Sequence, residues 1–167
     1  MEKTNQILEK SENPFVVSKL ENLSLIKVIE ITRRVWFNFF DNESILFDLT
    51  YSSNLNRNFL LNQDGLEILL TDIVENIHKY NDHVYKLTFL IDEEQLLIVF
   101  ENDVSNYDHQ KLELTKLVED FMQIDNSKIN KRKTHGVSMI KSFLNQMNIV
   151  HNLSIENKIF TLKLILK

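Results

Sequence analysis

The chain has 167 residues but only two glycines, Gly65 and Gly136, and one proline, Pro14. Glycine enters the left-handed region of backbone space without steric cost, and proline presets the bend of a tight turn. A chain almost without either cannot be collagen-like, a Gly/Ser linker or a Pro-rich scaffold. Its turns must be made by other residues, and asparagine, which tolerates left-handed backbone, is abundant. The same scarcity weighs against any nucleotide site built on a glycine-rich loop.

Other absences narrow the field. There is no cysteine, which removes disulfide frameworks, zinc ribbons and thiol catalysis and fits a reducing compartment. Hydrophobic residues at 43% and charged residues at 26% suit a chain that buries a core. A net charge of −5 favours neither nucleic acid nor anionic membrane. The start, MEKTNQILEK, lacks an apolar h-region, so it does not read as a signal peptide. Apolar runs such as 96–100 are too short to cross a bilayer. These features lead us to expect a soluble, cytoplasmic protein without nucleic-acid or membrane partners. The five histidines, His78, His83, His109, His135 and His151, are scattered, and no metal cluster is expected from them.

Hydrophobic spacing sets the order of elements. From Asn22, with Asn22 or Ser24 as N-cap, Leu25, Val28, Ile29, Val35, Trp36 and Phe39 make a helical stripe. Residues 44–50 alternate, with Ile45, Phe47 and Leu49 on one face, as in a strand. A second helix, capped by Asn62 or Asp64, buries Leu66, Leu69, Leu70, Ile73, Ile77 and Tyr80. Alternating runs at 84–91 and 96–100 form a hairpin through Asp92, Glu93, Glu94 and Gln95. Leu114, Leu117, Val118 and Phe121 mark a third helix, and the polar, basic 125–133 stretch reads as a loop. A fourth helix from Gly136 buries Val137, Ile140, Leu144 and Met147. Strands over 149–155 and 159–166 turn at Glu156, Asn157 and Lys158. The expected fold is a two-layer α/β sandwich, a mixed and mainly antiparallel sheet with helices on one face. Residues 1–19 read as a leader or the remnant of a preceding helix, and 20–167 as one domain.

On the second helix, Asp72, Glu75, Asn76 and Lys79 lie three or four residues apart and share a face. Carboxylate, amide oxygen and ammonium together are what a magnesium–phosphate site uses. Spacing alone reads equally well as an ordinary solvated helix face.

At this point the chain resembles the catalytic ATP-binding domain of sensor histidine kinases. That domain belongs to the Bergerat-type superfamily of gyrase, Hsp-type chaperones, histidine kinases and mismatch-repair ATPases. Residues 75–80, ENIHKY, look like the end of the family's N-box, E-N-A-x-K-Y. Residues 121–127, FMQIDNS, are similar to the stretch F-Y-R-x-D-x-S that opens the ATP lid. Residues 133–141, KTHGVSMIK, look like the G2 box T-G-L-G-L-S-I-V-K, with Gly136 as its second glycine and Thr134 in place of the first. By that resemblance Asn76 is the Mg²⁺ ligand, Lys79 and Tyr80 lie near phosphates and ribose, and Asp72 takes the other polar N-box position. Thr134, His135 and Gly136 would then contact the nucleotide at a helix start, where free N–H groups suit phosphate.

The G1 box, D-x-G-x-G, departs most. Its best register is Asn102, Asp103, Val104, Ser105 and Asn106, so the adenine-reading aspartate is Asn102 and both glycines are gone. Registers one residue away place Glu101 or Asp103 there. Valine fits a positive φ poorly, so the loop is expected to have another shape.

Two functions are therefore expected. One is a divergent histidine-kinase-like domain that binds Mg·ATP in signalling phosphotransfer or its regulation, with Asp72 or Glu75 as catalytic base. It would partner a phosphoacceptor helical domain or a response regulator, or form a homodimer. The other is a pseudo-ATPase of the same fold, retained as a protein-interaction module. The basic residues Lys128, Lys131, Arg132 and Lys133 are a solvated loop or a cover over triphosphate; nucleic-acid binding is a weaker third reading, since four charges in an acidic domain without interleaved aromatics make a poor footprint.

Overall fold

The computed structural model describes residues 19–49, 55–104, 107–123 and 137–167. In chain order these form β1 (Glu21–Ser24), α1 (Leu25–Phe37), a 3-10 turn (Asn42–Ser44), β2 (Ile45–Leu49), β3 (Asn58–Leu61) and α2 (Gln63–Tyr80). There follow β4 (Tyr85–Ile91), β5 (Leu96–Asp103), α3 (Tyr107–Gln123), α4 (Val137–Gln146), β6 (Val150–Glu156) and β7 (Ile159–Leu166). The main sheet has five strands in the order β2-β4-β5-β7-β6, and β1 pairs with β3 in a separate two-stranded ribbon. The β2–β4 pair is parallel and the other pairs antiparallel, which is the expected mixed sheet.

Strand alternation puts one face of each strand inward. Cross-strand rows run Ile45–Leu87–Phe100–Leu162–Leu153 and Phe47–Phe89–Ile98–Leu164–His151. Their central members are buried with the apolar faces of the helices in one core. Trp36 is fully buried there, its indole N–H donating to Ser44 Oγ at 2.8 Å, so its one polar atom is satisfied.

Caps decide where the helices begin. Ser24 Oγ accepts from the Lys27 N–H at 3.1 Å, which settles the N-cap of α1 on Ser24, since Asn22 lies in β1. Asn62 Oδ1 accepts from Gly65 N–H at 2.7 Å, and its Nδ2 donates to the Lys19 carbonyl at 2.7 Å. One side chain thus starts α2 and holds the chain entering β1.

Asparagine also makes turns, as the shortage of glycine requires. Among the described residues the non-glycine positions with positive φ are Asn148 (52°), Asn157 (50°) and Lys158 (69°). Asn148 ends α4: its N–H donates to the Asn145 carbonyl at 3.1 Å and the Ile149 N–H to Leu144 at 2.8 Å, the Schellman arrangement. Asn157 and Lys158 form the two-residue β6–β7 turn with both φ positive, as the right-handed twist of a hairpin favours.

Three expectations need correcting. β1 takes the place of the expected helix start at Asn22, and β3 adds a strand where no element was expected. β5 runs through Asp103 rather than ending at Phe100, so Asn102 is in a strand. Tyr80 is 47% exposed rather than part of the buried stripe, whereas Val74 and Ile31 are buried. The loop at 125–133 and residues 1–18 lie outside the described residues.

Candidate functional site

The polar face of α2 carries the residues singled out by spacing. Asp72 and Asn76 are half-buried, while Glu75, Lys79 and Tyr80 are exposed. Lys79 Nζ lies over the Tyr80 ring, 5.0 Å from its centroid. Burial, reinforced by the charge of Glu75, raises the Asp72 carboxyl to about pH 6. Its Oδ2 is buried and has no hydrogen-bond partner among the described residues. A desolvated carboxylate oxygen without a donor is costly in a folded protein, which favours the protonated form of Asp72. His78, in the last turn of α2, instead packs its ring 5.4 Å from Phe39 and 5.6 Å from Phe40.

The second part is the end of β5. Asn102 is only 4% exposed and lies in the inward row between Tyr85 and Phe160. Its Nδ2 donates to the Asp103 carbonyl at 2.7 Å, which leaves Oδ1 as the acceptor. The neighbouring carboxylates are otherwise engaged. Glu101 faces the opposite side of the sheet and pairs with Lys86 at 3.5 Å. Asp103 accepts from the backbone N–H groups of Asp82, His83 and Val84 at 2.8–3.1 Å. Burial works against its ionisation, but these donors, with His83 nearby, hold its carboxyl below the ordinary range.

Asp103 is the residue that sequence reasoning weighed only as an alternative register. The N–H groups that it binds form the turn between α2 and β4, while its own N–H donates to the Val84 carbonyl at 3.0 Å. It therefore ties the end of α2, where Lys79 and Tyr80 stand, to the strand end that carries Asn102. The signal available was an acidic residue at a strand end, too common to single out.

Val104, directly after β5, is 9% exposed and is not among the residues of positive φ. Ser105 and Asn106, and Thr134, His135 and Gly136 of the G2-like segment, lie outside the described residues, as does the basic stretch with Lys128 to Lys133. Among the described residues no group of His, Asp and Glu could hold a metal ion by itself. Among the described residues no helix is long and apolar enough to cross a membrane.

No protein-family model matches the chain, and no curated protein sequence matches it. Solved structures do. The catalytic domain of the histidine kinase ThkA superposes with a TM-score of 0.59 at 12% identity, covering 89% of this chain and 97% of that one. The histidine kinase AdeS of Acinetobacter baumannii gives a TM-score of 0.55 at 11% identity, covering 99% of this chain and 75% of AdeS. The mycobacterial sensor histidine kinase MprB gives 0.51 at 15% identity, covering 88% and 96%. The chain has the fold of histidine-kinase catalytic domains.

Proposed function

We propose that this chain is a nucleotide-binding domain of histidine-kinase type, taking Mg·ATP on the polar face of α2 and acting in phosphotransfer signalling or its regulation. The observation that carries this reading is Asp72: a buried, unpartnered carboxylate oxygen beside Asn76, on a helix whose sequence resembles the N-box. These residues fit a hydrated magnesium ion, which takes one or two protein oxygens and completes its shell with water and phosphate. When bound, the ion neutralises phosphate charge. Asn76 and Asp72 would hold it, Lys79 would offset the remaining phosphate charge, and Tyr80 would lie by the ribose. Asn102 Oδ1 would accept from the adenine amino group, and Thr134, His135 and Gly136 would meet the phosphates. A neutral acceptor in place of a carboxylate forgoes about 1 kcal/mol, under tenfold in affinity.

In this reading Glu75, or Asp72 where Asn76 alone holds the ion, removes the proton from the attacking group, with catalysis otherwise resting on positioning and electrostatics. The phosphoacceptor would be a separate helical domain or a response regulator, and a homodimer is a further arrangement. Calorimetry of the purified chain with millimolar Mg·ATP should give a saturable heat that Asn76→Ala removes. No heat from the folded wild-type chain overturns the proposal.

A second reading, the pseudo-ATPase that serves as an interaction module, is favoured by one observation: Val104 fills with a buried side chain the place where the resemblance expects a glycine. There Asn76→Ala would leave partner binding unchanged, and a joint loss of nucleotide and partner binding would count against it.

A further inference from the structure

Lys141 is only 7% exposed, yet among the described residues it meets no carboxylate. Its Nζ lies 2.7 Å from His151 Nε2. The other ring nitrogen, Nδ1, is 2.9 Å from the Ile149 carbonyl. A carbonyl oxygen only accepts, so Nδ1 carries the proton and Nε2 offers its lone pair to the ammonium. The imidazole in this contact is therefore neutral. The Phe121 ring closes the cluster, 5.0 Å from Lys141 Nζ and 5.5 Å from the imidazole, edge-on to it. Three elements meet here, with Lys141 from α4, His151 from β6 and Phe121 from the last turn of α3.

We propose that the Lys141–His151 contact is a proton-operated latch, holding α3 and α4 to β6 while His151 is neutral and releasing them when it takes a second proton. The added proton would sit on Nε2, facing an ammonium at hydrogen-bond distance with a low-dielectric aromatic wall beside it, where two like charges repel strongly. Nothing described is placed to absorb that charge. On α3, Lys116 and Glu119 are exposed; on β7 the cross-strand partner is Leu164, and Lys163 is exposed; on β6, Asn152 is exposed. On α4 the buried neighbour is Ser142. Burial lowers the imidazole pKa from 6.5, the Ile149 carbonyl partly restores it, and the Lys141 ammonium lowers it again. Burial likewise lowers the pKa of Lys141, which stays charged through the acid range.

The sign follows from linkage. A histidine that is harder to protonate when the latch is closed binds more protons when it is open. The opening constant is then flat above about pH 6.5 and rises up to tenfold per unit as pH falls toward the lowered value. The test is hydrogen exchange on the whole chain, with an NMR titration of the His151 ring. Corrected for intrinsic rates, exchange in α4 and β6 should accelerate up to tenfold per pH unit below pH 6.5. The acceleration should be absent in His151→Gln, which keeps an acceptor that does not titrate. In Lys141→Met the imidazole should titrate nearer 6.5 than in the wild type. Flat wild-type exchange over this range, or an imidazole that titrates identically with and without Lys141, overturns the latch. If His151→Gln does not fold, the Lys141→Met titration decides.

Discussion

At the scale of single residues, two aspartates with opposite environments organise the candidate site. Asp103 gains from ionising, because three backbone donors converge on it. Its folded pKa is depressed below 3.8, so its contribution is complete above that value and is lost as pH falls through the folded pKa. Charge-assisted hydrogen bonds contribute about 1.5–3 kcal/mol when well shielded, and these are partly exposed. Asp103→Ala should therefore cost roughly 1–2 kcal/mol in a urea melt at neutral pH, with the difference shrinking in acid. Because the lost bonds tie α2 to β5, Mg·ATP affinity should fall as well.

Asp72 loses by ionising. Its folded pKa is raised from 3.8 to about 6, so its acid form is favoured by folding and its charged form opposes folding above about pH 6. Asp72→Asn should stabilise the chain at pH 8 by on the order of 1 kcal/mol while removing Mg·ATP binding. A gain of stability with a loss of binding is the mark of a site residue. If Asp72 is the base, the rate of phosphoryl transfer should rise with pH and level off at or below about 6, since a bound magnesium ion favours its charged form. A profile that still rises above pH 7 would assign that role elsewhere.

At the scale of elements, the ends of α4 and of the β6–β7 hairpin show how a chain poor in glycine closes its turns. The left-handed conformation costs residues with a Cβ about 1–2 kcal/mol, less for asparagine, and the chain accepts it at Asn148, Asn157 and Lys158. Asn148→Gly should then raise the melting midpoint, since roughly 0.5–1 kcal/mol of strain is relieved after allowing for glycine's greater entropy. Asn148→Val should lower it by more. Lys158→Gly places Asn-Gly, the preferred pair for this turn, between the strands. It also removes the exposed Lys158–Asp108 ion pair at 2.8 Å, which contributes little in water. The net expectation is a small gain, readable by calorimetric scanning.

The elements also mark how far local pattern reaches. The four helices and the two hairpins of the main sheet were legible because each repeats its period several times within a short window. β1 and β3 were not: each is four residues long, at least half exposed, and meets the other only through non-local pairing. The last residues of β5 were also missed. Asn102 is polar, and its place in the inward row depends on Tyr85 and Phe160 lying opposite it.

At the scale of the whole molecule, the residues read as one site come from distant segments, and the sheet brings two of those segments together. A ligand that binds only the folded chain stabilises it by mass action. If Mg·ATP binds as proposed, ten times its Kd should add about 1.4 kcal/mol, seen as a concentration-dependent rise in Tm. Asn76→Ala should abolish that rise without changing the unliganded midpoint by more than a degree or two. A rise that persists in Asn76→Ala would place the nucleotide elsewhere.

By itself the sequence determined the helices found among the described residues, the mixed sheet, the polar face of α2, and asparagine as the maker of left-handed turns. All of these depend on residues within a few positions of one another, where side-chain period and backbone sterics act directly. Only the tertiary structure decided that Asn102 is buried, that Asp103 joins α2 to β5, that Asp72 keeps a buried oxygen unpaired, and that Lys141 meets His151. Those facts depend on desolvation and on partners brought together by strand register and packing, and neither is encoded in local spacing.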